Sequence, residues 1–137
     1  MDTRSDSGAV DGRLNGGPVG VLIVDDQESF RDVLRDLVAA TPGMKLAGES
    51  TSGEGALDAV ERLGPGMVIM DVRMPGIGGV EATRRLTAAH PGILVLLVSV
   101  DPGDPDLARS CGAAAFLRKQ RLSARALREA WESHVTS

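Results

Sequence analysis

The stretch Met67-Val-Ile-Met-Asp71-Val-Arg-Met-Pro75-Gly-Ile-Gly-Gly79 decides how the rest of the chain is arranged. It starts with an apolar run, which ends at an acidic residue and is followed by a turn rich in proline and glycine. A short apolar run bounded by turn signals is typical of a strand buried on both faces of a parallel sheet. Asp71 then lies at the carboxyl end of that strand, where open α/β sheets bind their ligands. Because a carboxylate at the edge of an apolar sheet is costly without a partner, other segments must supply groups that reach Asp71.

The composition of the chain is that of an ordinary globular domain with an acidic balance. It has 137 residues, of which 42% are hydrophobic and 25% charged, and a net charge of −4. The negative charge argues against direct nucleic-acid binding, which usually needs a basic excess. No apolar run approaches the roughly 20 residues that cross a bilayer, so we expect no membrane span. Cys111 is the only cysteine, which excludes an intrachain disulfide and fits a reducing cytoplasm.

Residues 1–18 differ from the rest of the chain. They are polar and rich in glycine, and they lack the apolar stretch of a signal peptide. We therefore expect a disordered leader over 1–18 and one folded domain over 19–137.

Apolar runs and helical periodicities alternate along that domain. Strands are predicted at 19–24, at 44–49 on a sheet edge, at 67–71, at 93–98 and at 113–117. Helices are predicted around the apolar stripe from Phe30, after the N-cap Ser52, over 79–89, after the N-cap Asp104, and from Ser123. Five strands alternating with five helices predict a five-stranded parallel sheet, doubly wound as (βα)5. This is a flavodoxin-like α/β fold with three layers, α/β/α.

Several polar side chains collect at the carboxyl edge of such a sheet. The strand ends deliver Asp25, Asp26, Asp71 and Ser99, and Lys119 follows the last strand. Neighbouring carboxylates repel one another, and either a raised pKa or a bound cation relieves the repulsion. Carboxylate and water oxygens suit Mg²⁺. Together with a lysine ammonium and a hydroxyl, such a site fits the stabilisation of a phosphoryl group in transfer.

The same residues resemble the receiver domain of two-component response regulators. The similarity rests on the pair Asp25-Asp26, on Asp71 followed by Met74-Pro75-Gly76, on Ser99, and on the stretch Gly112-Ala-Ala-Ala-Phe116-Leu-Arg-Lys119. It covers residues 19–135. The segment from Asp71 to Gly76 is most similar to receivers of the group that usually carries a LuxR-type DNA-binding domain.

The resemblance implies a phosphorylation site on Asp71, which would accept a phosphoryl group from a histidine kinase or a phosphotransfer protein. Asp26 and Asp71 would bind Mg²⁺ directly, Asp25 would act through water, and Arg73 would contribute its backbone carbonyl. Lys119 would pair with Asp71 and later with the phosphoryl oxygens. No enzymatic activity is expected beyond the domain's own phosphorylation and dephosphorylation.

The resemblance also implies a switch. Ser99 would move toward the phosphoryl group, and Phe116 would turn inward to fill the space that Ser99 leaves. An output protein, not identified by the sequence, would read the surface formed by the last strand and the last two helices. A homodimer is compatible with this scheme.

Several features depart from the family pattern, among them Gly78, which stands where an aspartate is frequent in the loop after the acceptor. Phe116 lacks the hydroxyl of a tyrosine, and Gln120 stands where many receivers have a proline. Val100 is bulkier than the residue often found after the switch hydroxyl, and we expect it to narrow access to the acceptor. The segment 99–112 is short, which shortens the fourth helix and puts the usual output surface in doubt.

Simpler interpretations exist for each site residue. Asp25-Asp26 could be only a helix N-cap, Lys119 one member of a solvated basic run, Ser99 a strand terminator, and Phe116 a core residue. Their convergence on one sheet edge favours the site interpretation.

Three alternatives to a stand-alone receiver stay open. The chain could be the receiver excised from a DNA-binding response regulator. Val100 and the short fourth helix are also compatible with a receiver-like interaction module that works without phosphorylation. A phosphohydrolase using Asp71 as nucleophile is disfavoured, because Arg73 stands where dehalogenase-like phosphatases carry a second acid.

Overall fold

The fold is built on one parallel sheet. The structure is a computed structural model that describes residues 17–101 and 105–136. Its strands are β1 (Val19–Val24), β2 (Met44–Ser50), β3 (Met67–Asp71), β4 (Leu94–Ser99) and β5 (Ala115–Arg118). They lie in the order β2-β1-β3-β4-β5, and every neighbouring pair is parallel. The chain moves outward from β1 to β2 and then returns to the other side of β1, so a crevice opens between the carboxyl ends of β1 and β3.

Five α-helices cover the sheet in the described part of the chain. They are α1 (Glu28–Ala39), α2 (Gly53–Leu63), α3 (Gly78–Ala89), α4 (Pro105–Cys111) and α5 (Ala124–Thr136). The predicted N-cap of α2 is confirmed, because the Ser52 side chain accepts a hydrogen bond of 3.0 Å from the Gly55 N–H. At its other end α2 stops at Gly64, whose left-handed φ of 58° favours glycine.

Two separate cores lie on the two faces of the sheet. One face carries α1 and α5 and buries Leu34, Ile69, Leu96, Leu127 and Trp131 among others. The opposite face carries α2, α3 and α4 around a core with Val60, Met70, Leu86, Leu97 and Cys111. Burial of each large apolar side chain contributes about 1.5–3 kcal/mol, so these cores fix the strands whose ends carry the site.

The predicted fold class is confirmed, and so is the edge position of β2. The last strand spans Ala115–Arg118 rather than 113–117, because the Ala113 N–H bonds to the Ala108 carbonyl and so closes the end of α4. A 3₁₀ turn over Lys119–Arg121 was not predicted, since a single turn of polar residues has no apolar period.

Two predictions lie wholly or mostly outside the described residues. They are the disordered leader at 1–18, of which only Gly17 and Pro18 are described, and the N-cap role of Asp104. Within the described part of the chain, no helix is long and apolar enough to cross a membrane.

Candidate functional site

The carboxyl ends of β1 and β3 bring three acidic side chains together. Val24 pairs with Met70 in the parallel register, so the next residues, Asp25 and Asp71, leave the sheet side by side. The carboxylates of Asp25, Asp26 and Asp71 each place one oxygen within 4.8 Å of the others. Asp25 and Asp71 are buried, whereas Asp26 is exposed. The cluster therefore opens to solvent on the Asp26 side.

Lys119 reaches this cluster from the 3₁₀ turn after β5. Its Nζ lies 2.8 Å from Oδ2 of Asp25 and 3.6 Å from Oδ1 of Asp71. The predicted partner was Asp71, but Asp25 holds the shorter contact. Asp25 is completely buried, and an uncompensated buried carboxylate costs more than one that still reaches water. The ammonium thus sits between the two buried acids.

Asp25 is held by further bonds, one of them from a residue that the sequence analysis missed. The Gln27 N–H donates to Oδ1 of Asp25 at 2.8 Å. The Arg31 guanidinium donates to the Asp25 backbone carbonyl at 2.8 Å and to the Glu49 carboxylate on β2 at 3.3 Å. Arg31 thereby ties the loop after β1 to the edge strand. The only sequence signal for it is an arginine in the first turns of the helix after the acidic pair.

The Lys119 ammonium does not fully offset the effects of burial and of the neighbouring carboxylates on Asp71. Burial raises the pKa of the Asp71 carboxyl to about 6, and the negative charge of Asp25 adds to the rise. The ammonium of Lys119 and a backbone hydrogen bond from Arg73 oppose it, while Asp26 raises it further. At neutral pH the carboxylate is mostly ionised, so it keeps its nucleophilic form while favouring any added cation.

Arg73 divides its roles between backbone and side chain. Its backbone hydrogen-bonds to Asp71, but its exposed guanidinium turns away to the Asp101 carboxylate at 3.0 Å. The Asp101 N–H in turn donates to the Ser99 hydroxyl oxygen at 3.2 Å. The loops after β3 and β4 are therefore linked at the mouth of the site.

Ser99 and Phe116 share one face of the sheet. Ser99 ends β4 in a buried position and pairs with Arg118, and Phe116 pairs with Leu97, two residues earlier in the register. The Phe116 ring is half-buried and packs against the core under α2, α3 and α4. The structure thus places both residues near the carboxyl edge, on neighbouring strands.

An apolar groove lies beside Lys119. It has a volume of about 450 Å³, and its lining includes Phe30, Val33, Val100, Lys119 and Gln120. Val33 and Val100 are 55% and 57% exposed, which is unusual for large apolar side chains. Val100, expected to narrow access to the acceptor, forms part of this groove.

The loop after Asp71 is packed closely against the strand. A Cβ on Gly79 would lie 2.1 Å from the Asp71 carbonyl oxygen, so only glycine allows α3 to begin there. The Glu54 carboxylate of α2 accepts a hydrogen bond of 3.2 Å from the Ile77 N–H. Both contacts fix the path of the loop that carries Arg73.

The donor set of the cluster fits a magnesium ion. All three side chains offer carboxylate oxygens, the ligand type that Mg²⁺ prefers, and exposed Asp26 leaves room for the waters that Mg²⁺ retains. A site with an ionised nucleophile, a lysine ammonium and room for a divalent cation has the parts that phosphoryl transfer requires.

Comparisons with known proteins agree with this geometry. Residues 21–132 match the family described as response regulator receiver domain. The chain is 42% identical over 103 residues to the response regulator GacA of Pseudomonas viridiflava, covering 74% of this chain and 48% of that protein. The chain therefore spans about half the length of the curated relatives that it matches.

Solved structures give the same picture at the level of the fold. The signal receiver domain of the putative response regulator NarL from Mycobacterium tuberculosis superimposes with a TM-score of 0.78 at 25% identity, covering 85% of this chain and 98% of that one. A two-component response regulator of the LuxR family from Aurantimonas sp. SI85-9A1 gives a TM-score of 0.77 at 26% identity, covering 87% and 86%.

Proposed function

The chain belongs to the response regulator receiver family, and on that premise we propose that Asp71 accepts a phosphoryl group from a histidine kinase or a phosphotransfer protein. The observation that carries the proposal is the nearly buried Asp71 carboxylate, which shares its site with Asp25, Asp26 and the Lys119 ammonium. Receiver domains are phospho-accepting signalling domains. The acceptor chemistry proposed here is of that kind, and we propose no activity toward other substrates.

In the proposed step, an Asp71 carboxylate oxygen attacks the phosphorus of a donor phosphohistidine. An O–P bond forms, the N–P bond breaks, and its electron pair goes to the departing imidazole nitrogen. Lys119 lies 3.6 Å from Oδ1 of Asp71, so its ammonium needs only a small shift to meet the phosphoryl oxygens. The product is an aspartyl phosphate.

We propose that Asp25, Asp26 and Asp71 hold Mg²⁺, together with the backbone carbonyl of Arg73. When bound, the ion supplies positive charge that neutralises the developing charge on the phosphoryl oxygens. Asp25 already accepts bonds from Gln27 and Lys119, which supports the more indirect, water-mediated role for it.

Ser99 and Phe116 are proposed to report the phosphorylation. Ser99 is buried on the strand next to that of Phe116, and its hydroxyl accepts a hydrogen bond of 3.2 Å from the Asp101 N–H. Movement of Ser99 toward the phosphoryl group would leave space for the half-buried Phe116 ring. The output protein would read the resulting change around β5, α4 and α5.

The apolar groove beside Lys119 is the surface that we propose for the phosphodonor. Its exposed Val33 and Val100 would pack against apolar side chains of the donor, next to the acceptor site. A cytoplasmic location belongs to the same proposal, and the lone Cys111 fits it. Direct contact with nucleic acid or membrane is not part of it. Any homodimer would form through the output surface around β5, α4 and α5.

Intact-mass spectrometry with acetyl phosphate and Mg²⁺ tests the proposal. Wild type should gain the mass of one phosphoryl group, and EDTA or Asp71→Asn should abolish the gain. Asp36→Asn, which removes an exposed acid of α1 outside the site, should behave as wild type. No gain in wild type, or an undiminished gain in Asp71→Asn, would overturn the assignment.

A second candidate is an interaction module that works without phosphorylation. The exposed groove and the seven-residue α4 favour this candidate, because both belong to surfaces that a partner protein would contact. Equal partner binding by wild type and Asp71→Asn, with and without acetyl phosphate, would select this candidate.

A further inference from the structure

The Lys119 ammonium has an aromatic contact besides its two carboxylates. Its Nζ lies over the Phe30 ring, 4.1 Å from the ring centroid. That distance is well inside the roughly 6 Å limit for a cation–π interaction. The Lys119 side chain is only 12% exposed, and cation–π attraction is stronger where water is excluded.

The Phe30 ring is held in place by its own packing. Phe30 belongs to the apolar stripe of α1 and packs against the core that α1 and α5 share. The same ring lines the apolar groove together with Lys119 and Val33. Phe30 therefore touches three parts of the molecule: the core, the groove and the lysine of the acceptor site.

We propose that Phe30 is a positioning residue for Lys119. Its ring covers the ammonium that also contacts Asp25 and Asp71, and so keeps the flexible lysine directed at the acceptor. Because the ring also lines the groove, a partner bound in the groove would contact the same ring that covers Lys119. This inference rests on the proposed function, because it assigns Phe30 to the phosphorylation of Asp71.

The contact with the ring restricts the Lys119 side chain but still lets its ammonium move toward a phosphoryl group. A lysine side chain has four rotatable bonds, and it loses much of its freedom when it is fixed by a carboxylate alone. The ring face covers the ammonium but accepts no directed hydrogen bond. The ammonium can therefore move from Asp25 toward the phosphoryl oxygens while the ring still covers it.

Substitutions that separate ring electronics from ring shape test the proposal. Phe30→Leu should slow phosphorylation of Asp71 by acetyl phosphate roughly two- to thirtyfold, the range that corresponds to the strength of a cation–π contact. Phe30→Tyr keeps the ring face and should restore the rate. Phenylalanine analogues with increasing fluorination at position 30 keep the shape but weaken the ring charge, so the rate should fall stepwise.

Leu37→Ala is the matched control, because Leu37 lies on the same helix and packs against the same core as Phe30 but has no described contact with Lys119. With acetyl phosphate it should react at the wild-type rate. Equal rates for wild type, Phe30→Leu and the fluorinated series, in proteins whose melting curves show that they are folded, would overturn the inference.

An NMR measurement keeps this inference separate from the proposed function. The ring should shift the Lys119 side-chain resonances upfield in wild type, and Phe30→Leu should remove that shift without any phosphodonor. Lack of a ring-dependent shift overturns the contact itself. If wild type shows the shift but takes up no phosphoryl group, the proposed function fails and the positioning role in phosphorylation fails with it.

Discussion

At the level of single residues, the main feature of the site is an excess of negative charge around the nearly buried Asp71 carboxylate. Asp71 is 6% exposed, and its pKa is raised to about 6 chiefly by burial and then by Asp25. Lys119 offsets part of this charge but stays closer to Asp25. The ionised Asp71 carboxylate therefore destabilises the folded state, and added positive charge at the site would reduce that destabilisation.

The pH dependence of stability follows from the raised pKa of Asp71. The pKa of the Asp71 carboxyl is higher in the folded state than the ordinary 3.8. The free energy of unfolding therefore decreases as the pH rises from about 4 to about 6. Asp71→Asn removes this charge, so without metal the variant should be more stable than wild type at pH 7, by roughly 1–3 kcal/mol. Urea unfolding at several pH values measures the difference. It should shrink toward pH 4, where wild-type Asp71 is protonated, and a difference that does not change with pH would contradict the assignment.

Arg31 gives a second prediction at this scale. It holds the Asp25 carbonyl at 2.8 Å, so Arg31→Met should loosen the loop that carries the acidic pair. Residues that orient metal ligands typically change affinity about 10- to 100-fold when removed, and we expect a loss of Mg²⁺ affinity at the low end of that range. Isothermal titration with Mg²⁺ measures it.

Arg35→Met is the matched control for Arg31. Arg35 also binds Glu49, but it has no described contact with Asp25. Its removal should leave Mg²⁺ affinity unchanged. An equal loss in both variants would show that the Glu49 network, and not the bond to Asp25, supports the site.

At the scale of elements, the junction between β3 and α3 is the tightest part of the site. A methyl group on Gly79 would lie 2.1 Å from the Asp71 carbonyl, so Gly79→Ala must displace the loop that carries Arg73. Overpacking of this kind costs about 1–3 kcal/mol, and we expect a lower unfolding free energy together with slower phosphorylation. Chemical denaturation and the acetyl phosphate assay measure the two effects.

Gly92→Ala is the control for that substitution. A Cβ at Gly92 meets no atom within 4 Å, so this variant should keep both stability and phosphorylation rate. Comparable losses in the two variants would mean that the close approach at Gly79 is not what constrains the loop.

Elements and side-chain contacts were not equally predictable from the sequence. The buried strands could be located because apolar runs such as Met67–Asp71 are long enough to show a pattern. The turn over Lys119–Arg121 could not, because one polar turn has no period. The contacts of Phe30 and Arg31 also escaped prediction: both lie on α1, and only tertiary packing decides which side chains meet Lys119 and Asp25.

At the scale of the whole molecule, the parallel sheet itself assembles the site. Because parallel strands end at one edge, the sequence alone predicted that Asp25, Asp71, Ser99 and Lys119 would gather there. The strand order β2-β1-β3-β4-β5 makes β1 and β3 neighbours, which puts the first two of these side by side. The preference of Lys119 for Asp25 depends on relative burial, which sequence spacing does not encode.

Metal linkage is the prediction that belongs to the whole molecule. A ligand that binds only the folded state raises stability in proportion to the logarithm of its concentration, so millimolar Mg²⁺ should raise the melting temperature. Asp26→Asn removes one of the three carboxylates and should reduce that rise. Differential scanning calorimetry in Ca²⁺-free buffer, with and without Mg²⁺, measures the melting temperatures of both proteins. A wild-type melting temperature that does not change with Mg²⁺ would contradict a magnesium site.

Chemical mapping of the modified residue is the most direct test of Asp71 as the phosphoryl acceptor. After incubation with acetyl phosphate and Mg²⁺, borohydride reduces an aspartyl phosphate to the corresponding alcohol, and peptide mass spectrometry then locates the residue. We expect this conversion at Asp71, with Asp25 and Asp26 unmodified. Conversion at another residue, or none in protein that has gained a phosphoryl group, would contradict it.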